Sequence, residues 1–295
     1  MRLIVGYLAT PSGDDGLTLA VRLARTLEAR IDLCIVLPTD RLLPDLVTVG
    51  GYEQILFQRA QKWLDDAAAT VPEDIEVDTH ISFNESFAEG LIQQAARLEA
   101  DAIVVGAAHD GLMGRYTIGS VTSDLLYSAP VPLALAPRGT RYSKVDRVRE
   151  VTCALGRRKG ADLLLETAVR ASAAAGTPLR LVSLVALDPM YGSLRGDNES
   201  VHERAIRHAN ETLNSAKDGL PEGFPVEATI VDGPTVEAAV NKLDWHDGDI
   251  IMVGSSRLGA PRRLFLGSTA AKMLRVLEVP MVVVPREQFS DQDLP

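Results

Sequence analysis

The sequence contains itself twice, with a constant offset of 148 residues. Gly106 falls on Gly254, Gly119-Ser120 on Gly267-Ser268 and Asp101 on Asp249, and the same shift carries Pro132 onto Pro280 and Pro137 onto Pro285. It also lays Leu3-Ile-Val onto Val151-Thr-Cys and Ile31-Asp-Leu-Cys onto Leu179-Arg-Leu-Val. Solenoid and propeller units repeat at roughly 20 to 50 residues, so a period this long duplicates a whole domain. A chain of 295 residues has room for two. The expected domains are residues 1–138 and 146–286. Residues 139–145, without apolar periodicity, are expected to be a linker, and residues 287–295 a polar, acidic tail that frays.

Within each repeat, apolar runs alternate with helical patterns. In the first, Arg2 to Leu8 reads as a strand, and Leu17, Ala20, Val21, Ala24 and Leu27 recur at helical spacing. Ile31 to Leu37 is a second strand. After a long connection from Thr39 to Gly51, a helix near Tyr52 to Ala69 would turn Ile55, Leu56, Trp63 and Ala67 inward. Ile75 to Phe83, Ala102 to Gly106 and Val131 to Ala136 complete five strands, with helical faces from Phe87 to Leu98 and after Gly119. Uniformly apolar strands alternating with helices imply parallel sheets covered on both faces. The expected fold is therefore two tandem doubly wound, parallel five-stranded sheets. Such sheets take ligands beyond the carboxyl ends of the strands, where the connection order reverses. The loops after the first and fourth strands of each repeat are the places to search.

Composition narrows the function classes. A net charge of -10 argues against a nucleic-acid binder, because phosphate backbones demand concentrated Lys and Arg. No apolar run is long enough to span a bilayer and the amino terminus enters a strand at once, which reads as cytoplasmic. Cys34 and Cys153 lie inside apolar strands, as buried reduced thiols do. His80, His109, His202, His208 and His246 make no metal-ligand spacing, and neither a nucleophile elbow nor a P-loop is present.

The loop after the fourth strand of the second repeat is the most informative. Ile250 to Val253 stops at Gly254. A small and basic segment follows, with Ser255, Ser256, Arg257, Gly259, Arg262 and Arg263, and Gly267, Ser268 and Thr269 open a helix capped by Ser268. Glycines admit close backbone approach, helix amino ends favour anions, and arginine grips phosphate bidentately, so the pattern suits a phosphate group. An ordinary strand-to-helix turn with solvated or ion-paired arginines accounts for it equally simply. In the first repeat Gly106, Gly119 and Ser120 hold the same places, with the helix capped by Ser120 and with His109 and Arg115 the only nearby cations.

These residues resemble the universal stress protein family in its tandem two-domain form, and the resemblance covers nearly the whole chain. It implies a Rossmann-like, adenine nucleotide alpha hydrolase-like fold. Nucleotide-binding members carry G-x-x-G, nine residues, then G-S or G-T. Here the spacing holds in both repeats, but His109 and Arg257 replace the second glycine, with Gly111 and Gly259 two residues further on. By resemblance the closing glycine and hydroxyl pair contacts phosphates, and an aliphatic residue near the end of strand two lines the base pocket. Val36 and Leu184 are the nearest matches. Those members also place an aspartate at the end of strand one, where this chain has Leu8 and Gly156; Asp14, Asp15 and Asp162 fall at or inside the first helix.

The expected ligand is ATP or a related adenine nucleotide, mainly in the second repeat, with magnesium only alongside it. The expected role is a non-catalytic stress-response module. The alternative is an interaction protein with no nucleotide, and a weak ATPase is the third. The fifth strands, Pro130 to Ala136 and Val279 to Val284, would be exposed edges. By resemblance they pair the repeats as an intrachain pseudo-dimer, with a homodimer of chains a further expectation.

Overall fold

The computed structural model describes residues 1–39, 50–107, 119–156, 162–186, 198–255 and 264–285, with side chains omitted at 50–53 and 198–201. The first repeat runs β1 (Arg2–Gly6), α1 (Pro11–Leu27), β2 (Arg30–Leu37), α2 (Gly50–Ala68), β3 (Val77–Phe83), α3 (Phe87–Arg97), β4 (Ala102–Gly106), α4 (Ser120–Ser128) and β5 (Leu133–Ala136). The second runs β6 (Glu150–Ala154), α5 (Asp162–Ala175), β7 (Leu179–Ala186), α6 (Asn198–Asp218), β8 (Val226–Gly233), α7 (Val236–Val240), β9 (Asp249–Gly254), α8 (Ser268–Leu274) and β10 (Met281–Val284).

All ten strands form one sheet in the order β3-β2-β1-β4-β5-β10-β9-β6-β7-β8. Each repeat contributes five parallel strands, as the alternation of apolar runs and helices predicts. The two sets meet at β5 and β10, which pair antiparallel, with Leu135 opposite Met281, Ala134 opposite Val282 and Leu133 opposite Val283. Both strands are buried throughout. Separating them would expose apolar side chains worth roughly 1.5–3 kcal/mol each for the larger ones. The fifth strands thus close each other's edges within the chain.

Alternation along the strands feeds two cores. Leu3 and Val5 face one side, with α1, α2 and α5 packed on them, and Ile4 faces the other, under α3 and α4. On α2 the buried stripe is Ala60, Leu64 and Ala67, with Trp63 partly buried, whereas Ile55 is 56% exposed. The inward face expected through Ile55 is therefore corrected, because a stripe through 60, 64 and 67 turns position 55 away from the sheet. The first strand ends at Gly6, short of Leu8, and the third and fifth begin two residues later than the apolar runs suggest.

The segment between the repeats is held rather than free. Asp15, fully buried on α1, accepts from the backbone N–H groups of Gly139 (3.1 Å) and Arg141 (2.8 Å) and from Arg141 Nη1 (2.9 Å). Arg22 donates through Nε to the Val145 carbonyl at 3.0 Å, and Thr26 Oγ1 accepts from Val148 N–H at 2.9 Å. One face of α1 thereby satisfies the polar backbone of the connection, which explains a linker without apolar periodicity yet with fixed structure. The acidic tail and the connection over residues 40–49 lie outside the described residues.

Candidate functional site

In each half the strand order reverses between the first and fourth strands, β1 and β4 or β6 and β9, and their carboxyl ends frame a crevice. In the first repeat the start of α1 packs onto the end of β4 at this crevice. The connection after β1 is short, and Thr10 caps α1 by accepting from Gly13 N–H, which draws the first turn onto the end of β4. Ser12 Oγ donates to the Ala107 carbonyl at 2.6 Å. A Cβ built on Gly106 would stand 1.9 Å from the Ser12 carbonyl oxygen, and one on Gly16 would stand 2.9 Å from Gly106 N. Glycine is required here for helix-to-strand contact.

At the second crevice the counterpart of Ser12 is Gly160, which lies outside the described residues. Among the described residues a Cβ on Gly254 would meet only Leu164 Cδ2 at 3.5 Å, and one on Gly156 would meet nothing within 4 Å. The connections that border it, 157–161 and 256–263, lie outside the described residues, and with them the sequence candidates Ser256, Arg257, Gly259, Arg262 and Arg263. By sequence these two connections carry Arg157, Arg158, Lys159, Arg257, Arg262 and Arg263. Their first-repeat counterparts His109, Gly111 and Arg115 also lie outside.

The other candidates fall as follows. Ser255 is buried, and its hydroxyl accepts from Phe265 N–H at 2.8 Å, so it braces its own loop. Gly119 and Gly267 are themselves the extended caps of α4 and α8, at φ -74 and φ -68. Ser120 and Ser268 are therefore the first helical residues rather than caps, and neither helix has a side-chain cap. The first N–H groups of a helix have no intrahelical partner, so both ends present donors, and Ser268 and Thr269 are exposed beside them. Val36 is buried beneath α3, where a Cβ on Gly90 would sit 2.6 Å from its Cγ1; Leu184 packs partly buried near Trp245. Val36 thus belongs to the core.

Nearby carboxylates separate in the same way. Asp14 Oδ1 accepts from Tyr7 Oη at 3.2 Å, and burial, reinforced by Asp14, pushes the Tyr7 phenol up to about 12. Asp162 is the equivalent of Asp14, but Leu155 replaces the tyrosine and Asp162 is exposed at the start of α5. The missing phenol at the 148 offset was the available sign that this carboxylate lacks the partner that Asp14 has, and sequence reasoning passed over it.

Among the described residues no group of three or more His, Cys, Asp or Glu is placed to hold a metal ion, and no helix is long and apolar enough to cross a membrane. A cavity of about 440 Å³ lies at the opposite end of the first repeat, but the Arg25–Asp74 and Arg30–Glu76 ion pairs lace its wall.

The Universal stress protein family matches the chain twice, over residues 1–137 and 148–285. The chain belongs to this family. Universal stress proteins of Mycobacterium tuberculosis and Mycobacterium bovis are 29% identical to it over 297 aligned positions, covering 97% of this chain and 100% of theirs. Among solved structures, a universal stress protein from Archaeoglobus fulgidus covers 97% of this chain and 98% of its own at a TM-score of 0.71 and 18% identity. A putative universal stress protein from Pseudomonas aeruginosa covers 96% of this chain and 92% of its own, at a TM-score of 0.57 and 18% identity. At these identities the solved structures speak for the fold.

Proposed function

We propose that this tandem universal stress protein is a non-catalytic regulatory module that binds an adenine nucleotide in the second repeat. The observation that carries the reading is one of sequence: six Arg and Lys residues lie in the connections after β6 and β9, where the connections after β1 and β4 carry only His109 and Arg115. The phosphates would lie against the backbone at Gly254 and the N–H groups opening α8 at Ser268 and Thr269. The six Arg and Lys residues of the bordering connections supply charge for an anion in a protein whose net charge is -10. Asp162 is the carboxylate assigned to the hydroxyls of the sugar.

The competing reading, an interaction protein without nucleotide, draws on Leu8, which stands 43% exposed where the family's binding members place aspartate. Any dimer of chains would use a surface other than the fifth strands, since those are already paired.

Thermal-shift titration of the full chain with ATP, ADP, AMP and cyclic AMP tests this, since a ligand specific to the native state raises the melting temperature by mass action. A shift with at least one of them is expected, abolished by a bulky residue at Gly267, weakened by Asp162→Asn and little affected by a bulky residue at Gly119. No shift at millimolar nucleotide, in protein free of co-purified ligand, selects the interaction reading. Equal losses at Gly119 and Gly267 would reassign the site to both repeats.

A further inference from the structure

The sheet ends on β3 in the first repeat and on β8 in the second, and each of these strands is paired on one side only. In a parallel ladder a strand turns the backbone groups of alternate residues to the same neighbour. Ile31 N–H donates to the Glu76 carbonyl at 2.9 Å and Asn84 N–H to the Leu37 carbonyl at 3.0 Å, so the even-numbered residues of β3 face β2. Val77, Thr79, Ile81 and Phe83 therefore direct their N–H and C=O groups outward. Among the described residues no other strand meets them.

An open row of this kind is a template for a further strand. Along β3, Val77 and Ile81 pack on the core that α2 covers, and Phe83, on the same face by alternation, stands 52% exposed. Phe83 is the one exposed large apolar side chain on either edge strand among the described residues. That apolar end distinguishes β3 from β8, which finishes at Asp232-Gly233.

We propose that β3 is a homodimer interface: two copies of the chain join by antiparallel pairing of β3 with β3 about a two-fold axis at His80, which merges two ten-stranded sheets into one. In this register Val77 falls opposite Phe83 of the second copy, Asp78 opposite Ser82, Thr79 opposite Ile81, and His80 opposite itself. The outward-facing residues are then the ones that exchange backbone bonds, about eight in all. Each Phe83 gains an apolar neighbour in Val77. No carboxylate meets a carboxylate, since Asp78 lies opposite a serine and is paired with Arg30 of its own chain. The one ionisable residue that faces its own copy, His80, has Asp32 of its own chain 2.7 Å from Nε2. The pairing is isologous and closes at two chains, whereas β3 joined to β8 would propagate without closure.

Sedimentation equilibrium of the full chain, from micromolar concentration upward, tests this. The parent should reach twice the 31.8 kDa mass of the chain. Thr79→Pro removes an outward N–H and no bond to β2, and Phe83→Glu sets a charge against Val77 at a position exposed in the single chain. Each should weaken dimerisation by about tenfold or more while melting close to the parent. Ala228→Pro, the matching outward position on β8, should leave the dimer intact. If Thr79→Pro fails to fold, Phe83→Glu decides. A parent that stays monomeric overturns the proposal, as does a dimer that survives either folded variant or is lost equally in Ala228→Pro. Species that grow beyond two chains overturn it too, because they would join unlike edges.

Discussion

Arg22 Nη2 and Asp247 Oδ1, from opposite repeats and 225 residues apart in the chain, meet at 3.1 Å. Arg22 is only 2% exposed, and burial lowers its pKa against the favourable charge of Asp247. The guanidinium also reaches the Val145 carbonyl and Ser143 Oγ, so three chain segments converge on one side chain. Arg22→Ala is expected to cost about 2–4 kcal/mol, since it strips a fork of donors from acceptors on the connection and on Asp247. Arg22→Lys should recover less than half of that, because an ammonium has no planar fork to serve all three. Urea unfolding checks both, as a lower midpoint with an unchanged slope.

The two fourth-strand glycines predict opposite outcomes for one substitution. Gly106→Ala drives a methyl into the Ser12 carbonyl at 1.9 Å, a backbone atom that moves only if α1 moves. Among the described residues, Gly254→Ala meets only a flexible leucine methyl at 3.5 Å. The first should destabilise by about 3 kcal/mol or more and the second by less than about 1 kcal/mol. Thermal melts of the two variants decide it, and comparable losses would show that Gly254 is packed as closely as Gly106.

The repeat offset made the fold legible, because backbone periodicity is a property of sequence alone, whereas the pairing of the fifth strands was implied by the family resemblance. The offset also held more than was taken from it. Arg2 and Asp32 become Glu150 and Arg180 in the second repeat, a reversal of sign at two positions together. The structure shows both as cross-strand ion pairs, at 3.4 Å and 2.7 Å, neither aligned as a hydrogen bond. Asp15 and Thr26, which hold the connection between the repeats, have Leu163 and Ala174 as equivalents, whereas Arg22 is repeated as Arg170. Ser255 was not legible: no spacing tells whether a loop hydroxyl faces a ligand or its own backbone.

Glu28, which follows α1, sits in the left-handed region at φ 52 and ψ 47, with its N–H closing the helix on the Ala24 carbonyl. The equivalent position in the second repeat is Gly176, at φ 65. A side chain there costs about 1 kcal/mol that glycine does not, partly offset by the freedom glycine gains in the unfolded chain. Glu28→Gly should therefore stabilise the protein by about 0.5 kcal/mol, a rise in melting temperature of roughly 1–2 °C. A fall would mean that the Glu28 side chain contributes more than its backbone costs.

Stability should fall in alkali for an identifiable reason. Burial pushes the Cys34 and Cys153 thiols from 9.0 up to about 12, and the Tyr7 phenol from 10.0 up to about 12. In the unfolded chain these groups lose their protons at ordinary pH values, while in the native protein they hold them. Their contribution is complete below pH 9 and is lost as pH rises toward 12, at about 1.4 kcal/mol per pH unit for each thiol. Urea midpoints measured under reducing conditions should therefore be level near pH 8 and decline from pH 9 upward. Cys153→Ala removes one of the two thiols and should make the decline shallower, whatever it does to the midpoint at pH 8. A midpoint that holds steady or rises between pH 9 and 11 would mean that water reaches these thiols in the native state.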